Sequence, residues 1–281
     1  MNEIRNREFE GERPLFAAHD AVLDHVSIGK GESALKRCNN IVAKSCTFNG
    51  KYPFWHCNNF SVDNCNFNEG ARAALWYSRK CMMKNCTIEA PKMFRMMMDI
   101  DIENTTFTNG QETLWDCSDI RIRNVKIENC DYLFMHSHNI DINHYKQHGN
   151  YTFQYCTNSI IRNAVIFSKD AFWNTSNLTI IDSKIHGEYL GWYSKDLTLI
   201  NCHISGTQPL CYIDNLTMIN CTMADDSDLA FEESKLNAEI ASEIVSVKNP
   251  RKGIIKAKKI GEIIIDKNII PDSDCKIIIQ E

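Results

Sequence analysis

The six residues Met83–Ile88 read MKNCTI, an apolar residue, a spacer, Asn-Cys, a second spacer and another apolar residue. The same arrangement returns in VDNCNF (Val62–Phe67), LINCHI (Leu199–Ile204) and MINCTM (Met218–Met223). Recurrence of this kind indicates that one short structural unit is repeated along the chain.

The repeat has a nearly constant period. The residue that follows the recurrent Asn occurs at intervals of 19 to 21 residues, and seven of the eleven residues before these positions are Asn. The aligned positions are Val26, Cys46, Cys65, Cys86, Thr105, Val125, Tyr145, Ala164, Ser183, Cys202 and Cys221.

Paired apolar residues precede the Asn column with the spacing of a β-strand. Ile100 and Ile102, and likewise Leu197 and Leu199, are separated by one polar residue, which is strand alternation. A unit of about 20 residues made only of strands cannot bury its apolar face alone, so units must stack at about 4.8 Å. The sequence therefore predicts an all-β, single-stranded, right-handed parallel β-helix.

Stacking gives the Asn-Cys pair a structural purpose. Identical amides on successive coils can hydrogen-bond to one another, so we expect an Asn ladder at one internal corner, with the small Cys side chain buried beside it. Leucine-rich repeats share the period but place Asn differently and follow it with a helix. Pentapeptide repeats would show a period of about five residues, which the sequence lacks.

Composition excludes several classes of function. A net charge of −5 argues against a nucleic-acid-binding protein, because phosphate binding requires a strongly basic face. The opening residues lack an apolar signal core, and no apolar run is long enough for a membrane helix. We therefore expect a cytoplasmic protein without membrane contact.

The thirteen cysteines are expected to be reduced and structural, since their number is odd and no CxxC pair is present. A ladder of sulfurs also does not present a tetrahedral metal site, and no metal or cofactor is predicted.

We expect a single domain over residues 1–281. Residues 1–11 form a cap or extension, and residues 224–281 form irregular closing coils, because the Asn-Cys pattern stops near Ala224.

A second register contains all five tryptophans of the protein, with a His/Tyr-rich column one residue later and a Leu/Phe column one residue before. Three consecutive columns cannot all point inward on a strand, and the Leu/Phe column is expected to face the core, so at least one of the Trp and His/Tyr columns faces solvent. Sugars stack on aromatic faces, which makes this aromatic strip a candidate ligand site. Its members are Trp55, His56, Trp76, Tyr77, Arg95, Trp115, His136, Trp173, Trp192 and Tyr193.

The strip admits two other interpretations. Identical rings in register could form an internal aromatic stack, or the strip could contact another protein. If a site exists, Arg95 replaces Trp within the column and could grip a carboxylate of an acidic sugar. Glu112 and Asp116 are candidate catalytic residues, as a carboxylate pair of the kind that glycosidases use, although solvated surface is the ordinary state of such residues.

Several segments resemble a family of uncharacterised bacterial proteins, a domain of unknown function among pectate-lyase-like right-handed β-helices. The resemblance covers nearly the whole chain and implies the fold but no activity or catalytic residue. The matching segments include GERPLF (Gly11–Phe16), KYPFWHC (Lys51–Cys57), ARAALWYS (Ala71–Ser78), IEAPKMFR (Ile88–Arg95), ETLWDC (Glu112–Cys117), SKDAFWN (Ser168–Asn174), GEYLGWYS (Gly187–Ser194) and VKNPRKGIIKA (Val247–Ala257).

Pectin-cleaving enzymes of the wider clan carry signatures that this chain does not. His148-Gly149 and Asp225-Asp226 match two-residue motifs of polygalacturonases, but the Asn-Thr-Asp and Arg-Ile-Lys motifs are absent from the sequence. Two functions compete: binding or processing of an oligosaccharide on the strip, and a non-catalytic scaffold that contacts a partner or forms a homo-oligomer.

Overall fold

The computed structural model describes residues 1–280 and confirms the all-β parallel β-solenoid, with about 15 turns and almost no helix. The only helical segment in the described part of the chain is one 3₁₀ turn, Glu69–Ala71. The chain divides into two compact units, Met1–Lys146 and Gln147–Glu281, and the single domain expected from the sequence stays a prediction. They are called unit 1 and unit 2 below.

The strands of unit 1 are β1 (Asn2–Arg5), β2 (Glu8–Glu12), β3 (His19–Asp24), β4 (Ser27–Glu32), β5 (Asn39–Lys44), β6 (Thr47–Phe48), β7 (Asn58–Asp63), β8 (Asn66–Phe67), β9 (Arg79–Lys84), β10 (Thr87–Ile88), β11 (Met98–Glu103), β12 (Thr106–Phe107) and β13 (Ser118–Glu128). Strand β14 (His138–His148) begins in unit 1. Unit 2 contains β15 (Thr157–Phe167), β16 (Ser176–Ile181), β17 (Lys184–His186), β18 (Lys195–Ile200), β19 (His203–Ser205), β20 (Asp214–Met223), β21 (Lys235–Lys248), β22 (Lys252–Ile264) and β23 (Asp274–Ile279).

Equivalent residues of successive repeats lie side by side in parallel ladders. In unit 1, Ile100 pairs with Cys81 on one side and Ile120 on the other. In unit 2, Leu197 pairs with Leu178 and Leu216 in the same way. These positions are buried and their neighbours along the strand are not, which is the alternation that the apolar spacing predicts.

The Asn corner differs from the prediction in one respect: it is exposed. Asn85, Asn104 and Asn124 have φ near +50° and lie at the surface. Asn tolerates this left-handed conformation better than most residues, so the column is explained first by the tight backbone corner. The ladder itself forms, because Asn124 Nδ2 donates to Asn104 Oδ1 at 2.8 Å and Asn220 Nδ2 to Asn201 Oδ1 at 2.9 Å.

The cysteines next to this corner are buried, as expected of small apolar side chains. Their thiols contact backbone carbonyls; the Cys86 Sγ donates to the carbonyl of Lys84 at 3.0 Å. No cysteine forms a disulfide within residues 1–280, and all of them except Cys275 are buried.

Burial of these thiols predicts a loss of stability at alkaline pH. Desolvation raises the pKa of Cys117 and of Cys211 to about 12, against an ordinary value of 9.0. Because the folded-state pKa is raised, the contribution of the neutral thiol to stability is fully present below about pH 9 and is lost as the pH rises toward 12. At pH 10 each such thiol should lower the free energy of unfolding by about 1.4 kcal/mol relative to pH 8.

Urea unfolding of the wild type and of the Cys117→Ala variant at both pH values measures this effect. The pH-dependent loss should be about 1.4 kcal/mol smaller in the variant. An identical loss in both proteins would show that the Cys117 thiol is not held neutral by the fold.

The outermost repeats are also strands. Residues 2–12, which cover most of the cap or extension expected over residues 1–11, pair in register with the next repeat through β1–β3 and β2–β4. After Ala224, β21 and β22 are 14 and 13 residues long, and their pairing includes a register shift between Ile240 and Glu243.

Candidate functional site

The aromatic strip of unit 1 lies outside the core but is only partly exposed. Trp55, Trp76 and Trp115 are half-buried, whereas His56 and Tyr77 of the next column are exposed. Both columns thus lie between the buried Leu/Phe column and solvent. Trp76, Arg95 and Trp115 are joined by parallel bridges on successive coils, as their common register predicts.

Four of the five tryptophans use their indole N–H groups within the fold. The indole Nε1–H of Trp76 donates to the carbonyl of Lys92 at 2.7 Å, and that of Trp115 donates to the carbonyl of Tyr132. In unit 2 the Nε1–H groups of Trp173 and Trp192 donate to the carbonyls of Tyr189 and Gln208. Each of these four indoles therefore hydrogen-bonds to the backbone of a loop in the following coil, which is a structural role.

The exposed rings mostly present edges to solvent. The His56 and Tyr77 rings stack with centroids 5.0 Å apart and an interplanar angle of 14°, and in unit 2 the Tyr193 and Tyr212 rings stack at 5.0 Å and 12°. This separation is close to the spacing of neighbouring strands, so the ring planes lie across the stacking direction. Sugars stack on ring faces, and faces inside such stacks are covered by the neighbouring ring.

Arg95 fills the gap in the tryptophan column. Its guanidinium carbon lies 4.5 Å from the ring centroid of Trp76 and 4.4 Å from that of Trp115. The side chain is 19% exposed, and Arg95 Nη2 is 3.5 Å from Glu112 Oε2. Both faces of this cation are thus occupied by indoles, which leaves little of it to meet a ligand.

The two candidate catalytic carboxylates have different surroundings. Glu112 Oε2 lies 2.9 Å from Lys92 Nζ, so this carboxylate is held between two cations. Asp116 is exposed at a corner residue with φ of 53°. His136 occupies the equivalent exposed position on the next repeat, and Trp173, Trp192 and Tyr193 lie in unit 2.

Replacing Arg95 with alanine is expected to destabilise unit 1. Two cation–π contacts in a largely desolvated position contribute about 1–3 kcal/mol together. The free energy of unfolding should be lower by this amount in the Arg95→Ala variant. The decrease should be smaller in the Arg95→Lys variant, because lysine keeps the charge but loses the planar stacking. An unchanged stability of Arg95→Ala would mean that the guanidinium is not a structural part of the strip.

A polar groove crosses a different face of unit 1. It has a volume of about 640 Å³ and is formed by outward side chains of β5, β7, β9, β11, β13 and β14, including the second residue of each strand, which lies at a corner. Its polar lining is Asn40, Asn59, Ser61, Lys80, Asp99, Asp101, Asp119, Arg121, Asn139 and Asp141. Because one corner residue comes from each coil, the stretch from Asn40 to Asp119 spans about 19 Å.

Most polar groups of this groove are paired with each other. Asn59 Nδ2 donates to Asn40 Oδ1 at 3.2 Å, and Asn139 Nδ2 donates to Asp119 Oδ1 at 2.9 Å. On the strands, Arg121 Nη1 lies 3.0 Å from Asp101 Oδ2.

Lys80 and Asp99 interrupt this pattern at the centre of the corner column. Both are exposed, and neither side chain makes a hydrogen bond or ion pair with any residue between 1 and 280. The groove therefore presents a free cation and a free carboxylate on adjacent coils, between paired side chains on either side.

Polar corners are recognisable in the sequence, but Lys80 and Asp99 are not among the candidate site residues predicted from it. The available signal was the replacement of the usual Asn by Lys and then by Asp at one repeat position, between Asn59 and Asp119. Concavity of the face, which turns this column into the edge of a groove, has no counterpart in the repeat pattern.

No group of three or more His, Cys, Asp or Glu side chains is arranged to hold a metal ion within residues 1–280. The described residues also include no helix with the length and apolarity needed to cross a bilayer.

A family described as "Protein of unknown function (DUF3737)" matches residues 2–278. No curated protein matches the chain significantly. Solved structures with a similar backbone include a mutant tailspike protein of E. coli bacteriophage HK620, at 10% identity and a TM-score of 0.42 over 92% of this chain. The chain spans 61% of the length of that tailspike.

The HK620 tailspike in complex with a pentasaccharide is 9% identical, with a TM-score of 0.45 over 99% of this chain and 67% of the tailspike. PfbA, a surface adhesin of Streptococcus pneumoniae, is 12% identical, with a TM-score of 0.38 over 91% of this chain and 71% of the adhesin. Similarity at this level assigns no activity to the chain.

Proposed function

The chain belongs to the DUF3737 family of proteins of unknown function, and we propose that it binds an oligosaccharide in the groove of unit 1. The observation that carries this proposal is the unpaired Lys80–Asp99 position at the centre of a long, open and polar groove. The proposed site lies on a different face of the repeats from the aromatic strip, which is the candidate ligand site from sequence.

The chemistry of the lining favours a sugar over other extended ligands. Amide and carboxylate groups pair with hydroxyl groups, which are the recurrent polar feature of an oligosaccharide. The lining has four carboxylates, on Asp99, Asp101, Asp119 and Asp141, against two cations, on Lys80 and Arg121. A polyphosphate would be repelled by this excess of negative charge.

Repetition along the groove also suits a polymer of similar units. Equivalent positions recur at about 4.8 Å on successive coils, so several sugar rings can contact the same kind of position one after another. Lys80 and Asp99 supply donors and acceptors that are not already used by the fold, and these hydrogen bonds can form on binding without breaking others.

Melting-temperature measurements with a panel of neutral, acidic and amino-sugar oligosaccharides test the proposal. At least one oligosaccharide should raise the melting temperature in a concentration-dependent manner. In the Lys80→Ala and Asp99→Asn variants its affinity should fall about tenfold or more, because hydrogen bonds to charged groups contribute about 1.5–3 kcal/mol.

The matched control is Lys195→Ala, which removes an exposed lysine of a strand start in unit 2 and should leave the affinity unchanged. Absence of any stabilising oligosaccharide would overturn the proposal and favour the non-catalytic scaffold. Binding that survives both groove substitutions would also overturn it, by placing the ligand elsewhere.

A further inference from the structure

One outward-facing column of unit 2 is apolar at its centre and charged at its ends. Each member follows a buried residue of the same strand, so strand alternation directs it away from the core. The members on β15, β16, β18 and β20 are ladder partners on successive coils: Arg162, Ile181, Ile200 and Ile219. Glu239 continues the column on β21, because Ala238 before it pairs with Met218 before Ile219. We call these five residues the isoleucine column.

A second outward column lies two residues earlier on the same strands and carries no charge. Its members are Ile160, Thr179, Thr198, Thr217 and Asn237. The two columns together are called the isoleucine face. In unit 1 the last outward residue of the corresponding strands is charged on five successive coils, at Lys44, Asp63, Lys84, Glu103 and Arg123. An apolar surface at positions where other repeats carry charge indicates a site of protein contact.

The two ends of the isoleucine face have complementary shape and charge. A groove of about 220 Å³ at one end is lined by the outward residues Thr217, Ile219, Asn237, Glu239, Ile254 and Lys256. The exposed Glu239 carboxylate makes no hydrogen bond or ion pair within residues 1–280, including with its ladder partner Lys256. At the other end Ile160 and Arg162 project from β15.

We propose that a second copy of this chain binds to the isoleucine face, in a dimer whose two-fold axis runs parallel to the strands at the level of Ile200. This axis reverses the order of the coils, so the column Arg-Ile-Ile-Ile-Glu of one copy meets Glu-Ile-Ile-Ile-Arg of the other. Ile200 then meets Ile200 of the second copy, and Arg162 of each copy faces Glu239 of the other. Ile160 of each copy lies over the groove of the other.

The order of residues in the column favours this partner and this axis. A two-fold axis along the stacking direction of the coils would set the isoleucine column against the uncharged column and would leave Glu239 opposite Asn237. A partner surface of one charge sign would be repelled at one end of the column. A second copy in the reversed order meets an opposite charge at both ends and apolar residues between them.

The size of the face predicts a weak and reversible dimer. Five strands with about six residues each cover about 24 by 20 Å, which is about 480 Å² of each copy. The two copies together then bury about 960 Å², at the lower limit of specific protein–protein interfaces. Association should therefore depend on concentration.

Sedimentation velocity from about 1 µM to 1 mM tests the dimer. The average mass of the wild type should rise from that of a monomer toward twice that mass and no further, because a two-fold contact is closed. Ile200→Lys and Ile200→Asp should each weaken association at least tenfold, since two like charges then meet at the axis. An equimolar mixture of these two variants should associate again, because the lysine of one copy meets the aspartate of the other.

The matched control is Val165→Lys, which places the same charge at a half-buried outward position of β15 beyond the corner at Asn163. This variant should associate like the wild type, and circular dichroism melting verifies that every variant is folded. A wild type that stays monomeric over the whole range would overturn the proposal. So would Ile200 variants that associate like the wild type, or a mixture that stays as weak as its two components, because Ile200 would then not lie on the axis.

Discussion

Replacing Gly187 with alanine is expected to lower the free energy of unfolding by about 2–4 kcal/mol. Gly187 has φ of +156°, and a Cβ placed there would lie 2.0 Å from the carbonyl oxygen of Ser168 on the preceding coil. The clash involves backbone held by the hydrogen bond from Ser168 N to the carbonyl of His186, so neither coil can move away without breaking the ladder.

Gly11→Ala is the matched control for this substitution. Gly11 also has a positive φ, +87°, but a Cβ there would meet no atom within 4 Å. Only the backbone preference is lost, and the expected decrease is about 1 kcal/mol. Chemical unfolding of the two variants measures the difference, and equal losses would contradict the close approach of coils at Gly187.

The Phe54→Ala substitution is expected to destabilise unit 1 by about 3–5 kcal/mol. Phe54 is fully buried, stacks on Phe60 with centroids 5.0 Å apart and meets the ring of Phe48 edge-on at 5.3 Å. Neighbouring coils are fixed by their ladders, so they cannot collapse into the cavity that the missing ring leaves.

The comparison for Phe54 is Phe16, another phenylalanine of unit 1, which is 46% exposed. Phe16→Ala should change the free energy of unfolding by about 0.5 kcal/mol or less. A similar cost for both substitutions would mean that the Leu/Phe column does not form the core of the solenoid.

The repeat made the fold predictable from sequence. The period of the Asn column and the alternation at Ile100 and Ile102 specify strands, stacking and register, and these are local properties repeated many times. The exposure of the Asn corner was predicted incorrectly, because Asn serves both as a ladder residue and as a residue for left-handed backbone. Sequence spacing does not distinguish these two uses.

The surface was less predictable than the core for a physical reason. Leu75 and Phe94 also adopt positive φ, a conformation that bulky residues rarely take. This conformation changes the direction in which the side chains of the following residues point. This backbone turn sets the half-buried position of the tryptophans. It also sets the position of Arg95, which stacks between two of them. The groove depends on the curvature of a face, and curvature is set by all coils together.

The most direct test of the oligosaccharide proposal is a crystal structure of the protein soaked with the oligosaccharide that raises its melting temperature most. We expect sugar density in the groove of unit 1, with hydroxyl or charged groups of the sugar within hydrogen-bonding distance of Lys80 Nζ and Asp99 carboxylate oxygens. Density on the rings of Tyr77 or Trp115, with an empty groove, would contradict it.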